Sequence, residues 1–345
     1  MTQQEEEYIK SKYNVATDKI KIAIFGQPGA GKSSLINALC GEPLAKTGSG
    51  TDTTQEAQVI ERGDVLFVDL PGYGTSRFPA HAFCQSFNPL QYDLFICVFA
   101  NKFHQADTDF FTQLVQVGKP CIFVCNKVDL IYEEGKTLAQ CQAAITADLR
   151  RQVGKAAITP LFVACRSDKL EGIAAVDEAI VSQMDAARQE KYRLAAKSYT
   201  KEQLDIKSQI CHDLIARSSK LAAANGFNPL LGLDVTLDLA ILTTLYKSIR
   251  MAYGINEAKV KNSLVKVETK NYLLKGMSKE GINFILKTAT KHLAQKTVFK
   301  FVPVVGQAAA GFIGYNMIKK AGEDYRAACY QVAQEELYKE LHVQD

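Results

Sequence analysis

The residues best suited to chemistry form a glycine-rich stretch that contains one lysine and two serines. It consists of Gly26, Gln27, Pro28, Gly29, Ala30, Gly31, Lys32, Ser33 and Ser34. Glycines at this spacing let successive backbone N–H groups curl around phosphate oxygens, and the dipole of a following helix adds to the attraction. In such a loop the lysine reaches the β- and γ-phosphates of a nucleotide, and the first serine ligates Mg²⁺. We therefore predict a phosphate-binding loop, with Lys32 as a catalytic residue and Ser33 as a metal ligand.

An acidic turn follows an apolar run farther along the chain. The run VLFVDLPG places Asp69 at the end of a predicted strand, 36 residues after Ser33, and Gly72 in the turn beyond it. An aspartate in this position can hold Mg²⁺ through a water molecule. The Gly72 N–H would lie near the γ-phosphate, which makes Gly72 a second catalytic candidate. Taken alone, DLPG is equally typical of a tight turn, but the glycine-rich loop upstream favours a nucleotide site.

Base selectivity is predicted from Asn126, Lys127 and Asp129, which follow the apolar run CIFVC. The Asp129 carboxylate can accept hydrogen bonds from N1–H and N2–H₂ of guanine, a pair of donors that adenine lacks. A mismatch that leaves a buried polar group unpaired discriminates by up to about 10⁴–10⁵-fold. We expect Asn126 and Lys127 to brace the loop and the plane of the base. GTP or GDP, with Mg²⁺, is therefore the expected ligand.

Two further loops give weaker signals. The hydroxyl-rich stretch 48–55 lies between the first two motifs, and one of its threonines would complete the Mg²⁺ shell with GTP and be released after hydrolysis. Thr54 is the first choice as catalytic residue and metal ligand, Thr53 is the second, and a plain solvated loop is the alternative. Ala164 and Cys165 follow a later apolar run, where a second base-contacting loop would fall. A buried structural cysteine fits that position too.

The residue after DLPG is Tyr73, where many small GTPases carry the glutamine that orients the attacking water. Tyrosine does not orient water in the same way, so slow intrinsic hydrolysis is expected, as in Ras, which turns over at about 10⁻⁴ s⁻¹ even with its glutamine. Faster turnover would come from a second protomer or from a residue of the switch loops. Arg77 is a candidate for that residue, and a solvated surface arginine is the simpler interpretation.

These motifs need a sheet whose strands end at one edge. Short apolar, β-rich runs alternate with helical stretches and lie at 21–25, 65–70, 94–99, 121–125 and 161–164. Such runs, bounded by Gly, Pro, Asn or Asp, are typical of parallel strands that helices cover on both faces. We predict an α/β G domain with a P-loop and a doubly wound, mostly parallel sheet over 19–185.

Beyond residue 185 the strand signals stop and apolar residues recur at helical spacing, as in Leu239, Leu242 and Tyr246. A helix that is apolar on two faces is usually buried among other helices. We predict an all-helical domain over 186–345, with breaks at 226–229 and 301–303. The polar residues 1–18 are consistent with a short helix or a disordered arm.

The composition is that of an ordinary globular protein: of 345 residues, 47% are hydrophobic and 23% are charged. This balance excludes a disordered tail protein, a collagen-like fibre and a protein with many membrane spans. The nine cysteines form no CxxC pair, and several lie in apolar runs, where free cysteine behaves as a buried hydrophobe. The N-terminus lacks an apolar signal segment, and position 2 is Thr. We expect a cytoplasmic protein, with peripheral attachment to membranes as an alternative.

Taken together, the chain resembles the immunity-related GTPases, the interferon-inducible family and its bacterial relatives. The segments that carry the resemblance are 26–33, 69–75, 126–129, 228–256 and 301–325. The resemblance implies a G domain beside a helical domain built from both chain ends, so that 1–18 would pack with the helical domain. It also implies GTP-dependent dimerisation through the G domains, hydrolysis assisted in trans, and action on membranes. Lys32 is typical of the GKS branch of the family.

Partners are harder to predict from charge. The net charge of +4 does not indicate nucleic acid by itself, but residues 259–300 carry ten lysines against two glutamates. These lysines form either a solvated helical face or, within 259–320, a surface for anionic lipid, where each lysine contributes about 1 kcal/mol. Nucleic acid is not expected, because no aromatic stacking pattern accompanies them. The apolar stretch 301–318 is just long enough to span a bilayer, but its proline and polar residues favour packing against other helices.

The sequence thus predicts a GTPase that binds GTP–Mg²⁺, dimerises through its G domain and hydrolyses slowly. Its helical domain would pass the switch to a partner or a membrane. A GTP-binding scaffold with negligible turnover is one alternative, which Tyr73 permits. A regulatory GTPase of ribosomes or RNA is another, in which the lysines of 259–300 would bind RNA with strong salt dependence.

Overall fold

The computed structural model describes residues 19–46, 57–71, 87–100, 102–154, 158–166, 168–225, 234–296 and 306–342. The chain forms two compact units that divide after Lys197. The sequence placed this division at 185. Helix Ala186–Ala195 belongs to the first unit, because Tyr192 is fully buried and the Lys197 N–H donates to the Leu39 carbonyl at 3.0 Å. The predicted arm 1–18 lies outside the described residues.

The first unit is built on a six-stranded sheet. Its strands are β1 Ile20–Phe25, β2 Gln58–Arg62, β3 Val65–Asp69, β4 Leu94–Phe99, β5 Cys121–Cys125 and β6 Leu161–Phe162. The spatial order is β2-β3-β1-β4-β5-β6, and every neighbouring pair is parallel except β2 with β3. The predicted mostly parallel α/β sheet is confirmed.

Strand β2 and a small hairpin were missed by the sequence patterns. In β2 only Ile60 is buried and Val59 is 59% exposed, as is typical of an edge strand with one apolar face. The hairpin pairs β7 Ala164–Arg166 with β8 Lys169–Glu171, so the predicted strand 161–164 is divided between β6 and the hairpin. Both segments are short and largely polar, so neither shows a strong periodicity.

Helices cover this sheet: α1 Lys32–Cys40, α2 Gln105–Gln116, α3 Leu138–Val153, α4 Ile173–Ser182 and α5 Ala186–Ala195. Strand β4 is buried along its whole length, as expected for a central parallel strand. Aromatic rings fix α2 against β1 and β4. Phe110 of α2 meets Phe25 edge-on with ring centroids 4.5 Å apart and Phe95 at 5.9 Å. Pairs of this kind add about 0.5–1.5 kcal/mol to simple burial.

The second unit is helical, as predicted. Its helices are α6 Lys201–Asn225, α7 Asp234–Ala252, α8 Glu257–Asn262, α9 Val267–Lys275, α10 Lys279–Lys296 and α11 Gly306–His342. The long helices α6 and α11 pack against each other, and α7 packs against both. At its centre Tyr246 stacks on Tyr325, with centroids 3.8 Å apart, and the Tyr246 hydroxyl lies 2.8 Å from that of Tyr272.

The apolar stretch 301–318 is described from residue 306 onward. From residue 306 onward it forms the first turns of α11, which continues to His342. Within the part of the chain that the structure describes, no helix combines the length and the hydropathy needed to cross a bilayer.

Candidate nucleotide-binding site

The glycine-rich loop connects β1 to α1. Gly26, Gly29 and Gly31 have φ values of 142°, 77° and 92°, a region that side chains other than glycine rarely adopt. A Cβ atom on Gly26 would lie 1.9 Å from the Val98 carbonyl oxygen, and one on Gly31 would lie 2.1 Å from Asn126 Nδ2. The loop therefore requires glycine at both positions, for conformation and for space.

Lys32 curls back over this loop. Its side chain is buried, and Nζ donates to the carbonyl oxygens of Gly26 at 3.1 Å and Gln27 at 3.4 Å. The ammonium charge is thus held at the centre of the loop, where a phosphate group would sit. A buried cation surrounded by backbone N–H groups attracts polyphosphate strongly.

Ser33 and Asp69 meet because β3 lies beside β1. Ile24 is paired with Asp69 across the two strands, and Leu70 N–H donates to Ile24 O at 2.9 Å. The Ser33 hydroxyl donates to Asp69 Oδ2 at 2.5 Å, and Asp69 is fully buried. A hydroxyl and a carboxylate are hard oxygen ligands of the kind that Mg²⁺ prefers. These two residues therefore fit a Mg²⁺ ion that would act as a Lewis acid on bound phosphates.

Asn126 ties the end of β5 to the glycine-rich loop. Its Nδ2 donates to Ala30 O at 2.9 Å, and its Oδ1 accepts from the Lys127 N–H at 2.8 Å. Lys127 has φ 64°, so it turns the chain sharply and brings Val128 N–H to the Val163 carbonyl at 3.0 Å. The asparagine thus links the end of β5 to the glycine-rich loop, and its role toward a bound base stays a prediction.

Asp129, Ala164 and Cys165 lie around the expected position of the base. The Asp129 side chain is only 6% exposed, and Oδ2 lies 3.6 Å from an Arg166 guanidinium nitrogen. Ala164 is fully buried. Burial, with a smaller contribution from the charge of Asp129, raises the pKa of the Cys165 thiol to about 12. Cys165 is therefore a neutral thiol close to Asp129, and its contact with a base stays a prediction.

Two of the remaining predicted residues, Thr54 and Gly72, lie outside the described residues, as do Thr53, Tyr73 and Arg77. Their roles stay predictions. Pro28 lies in the loop and Ser34 in the first turn of α1, beside the residues already described.

Two charged residues of the site were not identified from the sequence. Arg166, from the short hairpin, is held by Asp168 through bonds of 3.0 and 2.6 Å and faces Asp129. Asp107, in the first turn of α2, is fully buried and accepts the His104 N–H at 2.9 Å. Asp107 follows His104 by three residues, the spacing of a capping box, and this spacing is the local sequence signal that could have drawn attention to it.

Comparisons with known proteins bear directly on this site. The family model described as Interferon-inducible GTPase (IIGP) matches residues 4–339. The chain belongs to this family. The resemblance predicted from the motifs is therefore confirmed, and membership in the interferon-inducible GTPases supports guanine nucleotide as the ligand of the glycine-rich loop.

Individual relatives match over shorter segments. The chain is 35% identical to interferon-inducible GTPase 1 of Mus musculus over 118 residues, 32% of this chain and 28% of the relative. It is 33% identical to the probable GTP-binding protein EngB of Koribacter versatilis over 128 residues, 32% of this chain and 63% of that protein. The matched segments thus span less than two thirds of the length of these curated relatives.

Solved structures resemble the chain more distantly. One is Era in complex with MgGDPNP and ribosomal RNA, with a TM-score of 0.40 and 18% identity over 49% of this chain and 57% of that chain. Another is Toc33 from Arabidopsis thaliana with Mg²⁺ and GMPPNP, with a TM-score of 0.41 and 14% identity over 55% of this chain and 93% of that chain.

Proposed function

We propose that this chain binds GTP with Mg²⁺ at the glycine-rich loop and hydrolyses it slowly. The observation that carries the proposal is the meeting of three distant motifs at one sheet edge. Ser33 bonds to Asp69, and Asn126 bonds to Ala30. In doubly wound sheets, ligands bind outside the carboxyl ends of the strands, which is where β1, β3 and β5 deliver these residues.

The proposed role of each side chain follows from its charge and hydrogen-bonding groups. Lys32 would stabilise the negative charge that the β- and γ-phosphates carry. Ser33 and Asp69 would hold Mg²⁺, with Thr54 as a further ligand, and Gly72 would contribute its N–H near the γ-phosphate. Asp129 would select guanine, with Ala164 and Cys165 beside the base. Asn126 and Lys127 would keep the base loop in place.

We further propose that two copies associate through their G domains when GTP is bound. The residue that aligns water in other GTPases is replaced here by Tyr73, so a second protomer is the expected source of acceleration. The test is the rate of GTP hydrolysis per molecule, measured over a range of protein concentrations. A specific rate that rises with concentration supports catalysis in trans.

Lys32→Ala is the control for that measurement, because it removes the charge at the centre of the loop. A slow rate independent of concentration would contradict dimer-assisted catalysis and favour a monomeric switch. GTP binding with no turnover would contradict the enzymatic function and favour a GTP-binding scaffold.

For the helical unit we propose contact with an anionic membrane surface. Leu264, in the connection between α8 and α9, is 82% exposed, and Val267, the first residue of α9, is 68% exposed. The exposed Lys266 lies between them in the chain, and the exposed Lys261 precedes Leu264 by three residues. The Leu264 N–H donates to the Glu335 carboxylate at 2.7 Å, which fixes the connection against α11. Two exposed apolar side chains with lysines beside them fit a lipid headgroup layer.

The test is co-sedimentation with phosphatidylcholine vesicles, with and without phosphatidylserine. Binding that needs phosphatidylserine and is weakened by Leu264→Ser supports the proposal. Binding to RNA that falls steeply with salt, without vesicle binding, would support the ribosome- or RNA-associated alternative instead.

A further inference from the structure

Asp129, the residue proposed to select guanine, is buried with part of its hydrogen-bonding capacity unused. Its side chain is only 6% exposed, and within the part of the chain that the structure describes its Oδ2 atom accepts no hydrogen bond. The cation that faces it is Arg166, whose Nη1 lies 3.6 Å from Oδ2, a separation longer than a hydrogen bond. A buried carboxylate oxygen without a donor is costly. Asp129 is therefore ready for donors that a ligand brings.

The hairpin that carries Arg166 is fixed next to the turn that carries Asp129. The Val163 N–H, just before the hairpin, donates to the Cys125 carbonyl at 2.9 Å. The Val163 carbonyl accepts the Val128 N–H at 3.0 Å. The backbone thus brings the two charged residues within reach of each other, and side-chain contacts decide whether they form a hydrogen bond.

Asp168, in the turn of the same hairpin, holds the Arg166 side chain. Its two carboxylate oxygens accept from Arg166 Nε at 3.0 Å and from Nη2 at 2.6 Å. Two parallel bonds of this kind fix both the position and the plane of a guanidinium. The remaining nitrogen, Nη1, is the one that lies near Asp129. The same guanidinium is therefore bonded to Asp168 and stays short of a hydrogen bond to Asp129.

Without this restraint, direct pairing between Arg166 and Asp129 is expected. Asp129 is far less exposed than Asp168, at 6% against 64%, and charges interact more strongly where water screens them less. A direct pair would occupy the oxygens with which Asp129 is proposed to accept N1–H and N2–H₂ of guanine. A cation held at 3.6 Å instead compensates the buried charge and leaves those oxygens available.

We propose that Asp168 is a positioning residue of the base site, which restrains Arg166 and thereby keeps Asp129 available to accept guanine. The inference rests on the proposed function and adds a determinant of base affinity that lies outside the nucleotide-binding motifs. Asp168 acts through Arg166 and Asp129 and need not touch the base. Guanine then competes with water for the Asp129 carboxylate and not with a guanidinium.

The experiment measures the dissociation constant of GDP with Mg²⁺ for the full chain, by competition with a fluorescent GDP analogue. Asp168→Asn keeps a turn-forming side chain but removes the charge and one of the two acceptors that hold Arg166. We expect GDP binding to weaken about three- to tenfold, because a partly exposed ion pair then competes with the base. The kcat for saturating GTP should stay within about twofold of wild type, because a base contact is made equally before and during hydrolysis.

A double-mutant cycle distinguishes the restraint from a general effect on the hairpin. In an Arg166→Met background, Asp168→Asn should leave the GDP dissociation constant unchanged, because no guanidinium remains to occupy Asp129. Equal weakening with and without Arg166 would overturn the proposal, since Asp168 would then act on the shape of the hairpin alone. Full GDP affinity of the Asp168→Asn single variant would overturn it as well.

Two control variants match these changes. Lys169→Met removes the cation that is paired with Arg166 in the register of the hairpin, and it should not suppress the effect of Asp168→Asn. Asp148→Asn releases Arg151 from an ion pair on α3, and it should bind GDP as the wild type does. Absence of GDP binding by the wild type would overturn the proposed function, whereas wild-type binding without coupling between positions 166 and 168 overturns this inference alone.

The side chains of Arg166 and Asp168 are 60% and 64% exposed, so their variants are expected to fold. Far-ultraviolet circular dichroism checks this. Should Asp168→Asn fail to fold, Asp168→Ser is the second variant, because serine is smaller and also suits a turn. The same loss of GDP affinity, and the same absence of loss in the Arg166→Met background, are expected of it.

Discussion

In the first unit, the buried polar side chains of Lys32, Asp69 and Asn126 lie at one edge of the sheet and bond to a single loop or to each other. In the helical unit, buried Lys207 and Ser219 donate instead to the carbonyls of Ala252 and Ile215. Both units thus bury charged and polar side chains. In the helical unit these groups bond to helix backbone carbonyls, whereas in the first unit they converge on the glycine-rich loop. Burial of a polar group alone does not identify a site, and the convergence of several groups does.

The largest expected effect tests whether the first unit selects guanine. Asp129→Asn replaces a carboxylate that accepts two hydrogen bonds by an amide that also donates. We expect the preference for GTP over XTP to fall by about 10⁴-fold, because xanthine carries a carbonyl where guanine carries N2–H₂. Competition binding of the two nucleotides measures it. Asp205→Asn, in the helical unit, should leave the preference unchanged, and a preference that survives Asp129→Asn would contradict the assignment of the base site.

A matched pair of lysine variants contrasts the two units. Lys32→Met should lower kcat/KM for GTP by at least about 10²-fold, because it removes charge from the phosphate position. Lys207→Met should leave kcat/KM within a small factor and lower the free energy of unfolding by about 1–3 kcal/mol, because the Ala252 carbonyl loses a charged donor. Steady-state kinetics and urea unfolding measure the two effects. Equal losses of activity would show that the contrast between the units is wrong.

The smallest expected effect is a difference in stability between two Gly→Ala variants of the loop, of which only one creates a steric clash. Gly26→Ala places a Cβ 1.9 Å from the Val98 carbonyl oxygen, whereas Gly29→Ala meets nothing within 4 Å. The φ of 77° at Gly29 costs an alanine about 1–2 kcal/mol, and the φ of 142° at Gly26 costs at least as much, because residues other than glycine rarely adopt it. We therefore expect Gly26→Ala to lower the free energy of unfolding by about 1–3 kcal/mol more than Gly29→Ala. Chemical unfolding measures the difference, and equal losses would contradict the steric role of Gly26.

The parts of the fold that were predictable are those in which a short segment carries its own signal. The central strands β1, β4 and β5 are buried apolar runs, and the glycine-rich loop has a fixed spacing. Strand β2 gave no such signal, because only Ile60 is buried among its five residues. The end of the first unit was placed too early because the sequence of α5 is mostly polar, and only tertiary packing reveals that Tyr192 is buried.

The residues of the candidate site likewise divide into those that the sequence predicts and those that it does not. Lys32, Ser33, Asp69 and Asn126 belong to motifs that could be identified one segment at a time. Asp107 and Arg166 could not, because each faces a residue that is distant in the chain: Asp107 faces the loop at Gln27, and Arg166 faces Asp129. Contacts of this kind depend on the order of the strands in the sheet, which no local pattern specifies.

The hydrogen bond from Asn126 to Ala30 has a consequence for the size of the pocket. One amide joins the turn proposed to meet the base to the turn proposed to meet the phosphates, and its second polar atom accepts the Lys127 N–H. The separation of the two ends of the pocket is therefore set by one rigid side chain and not by two independently moving loops. In the proposed nucleotide site this amide would therefore select for the distance between the base and the phosphates of a ligand. A deletion in either turn would therefore disturb both the base end and the phosphate end of the proposed site.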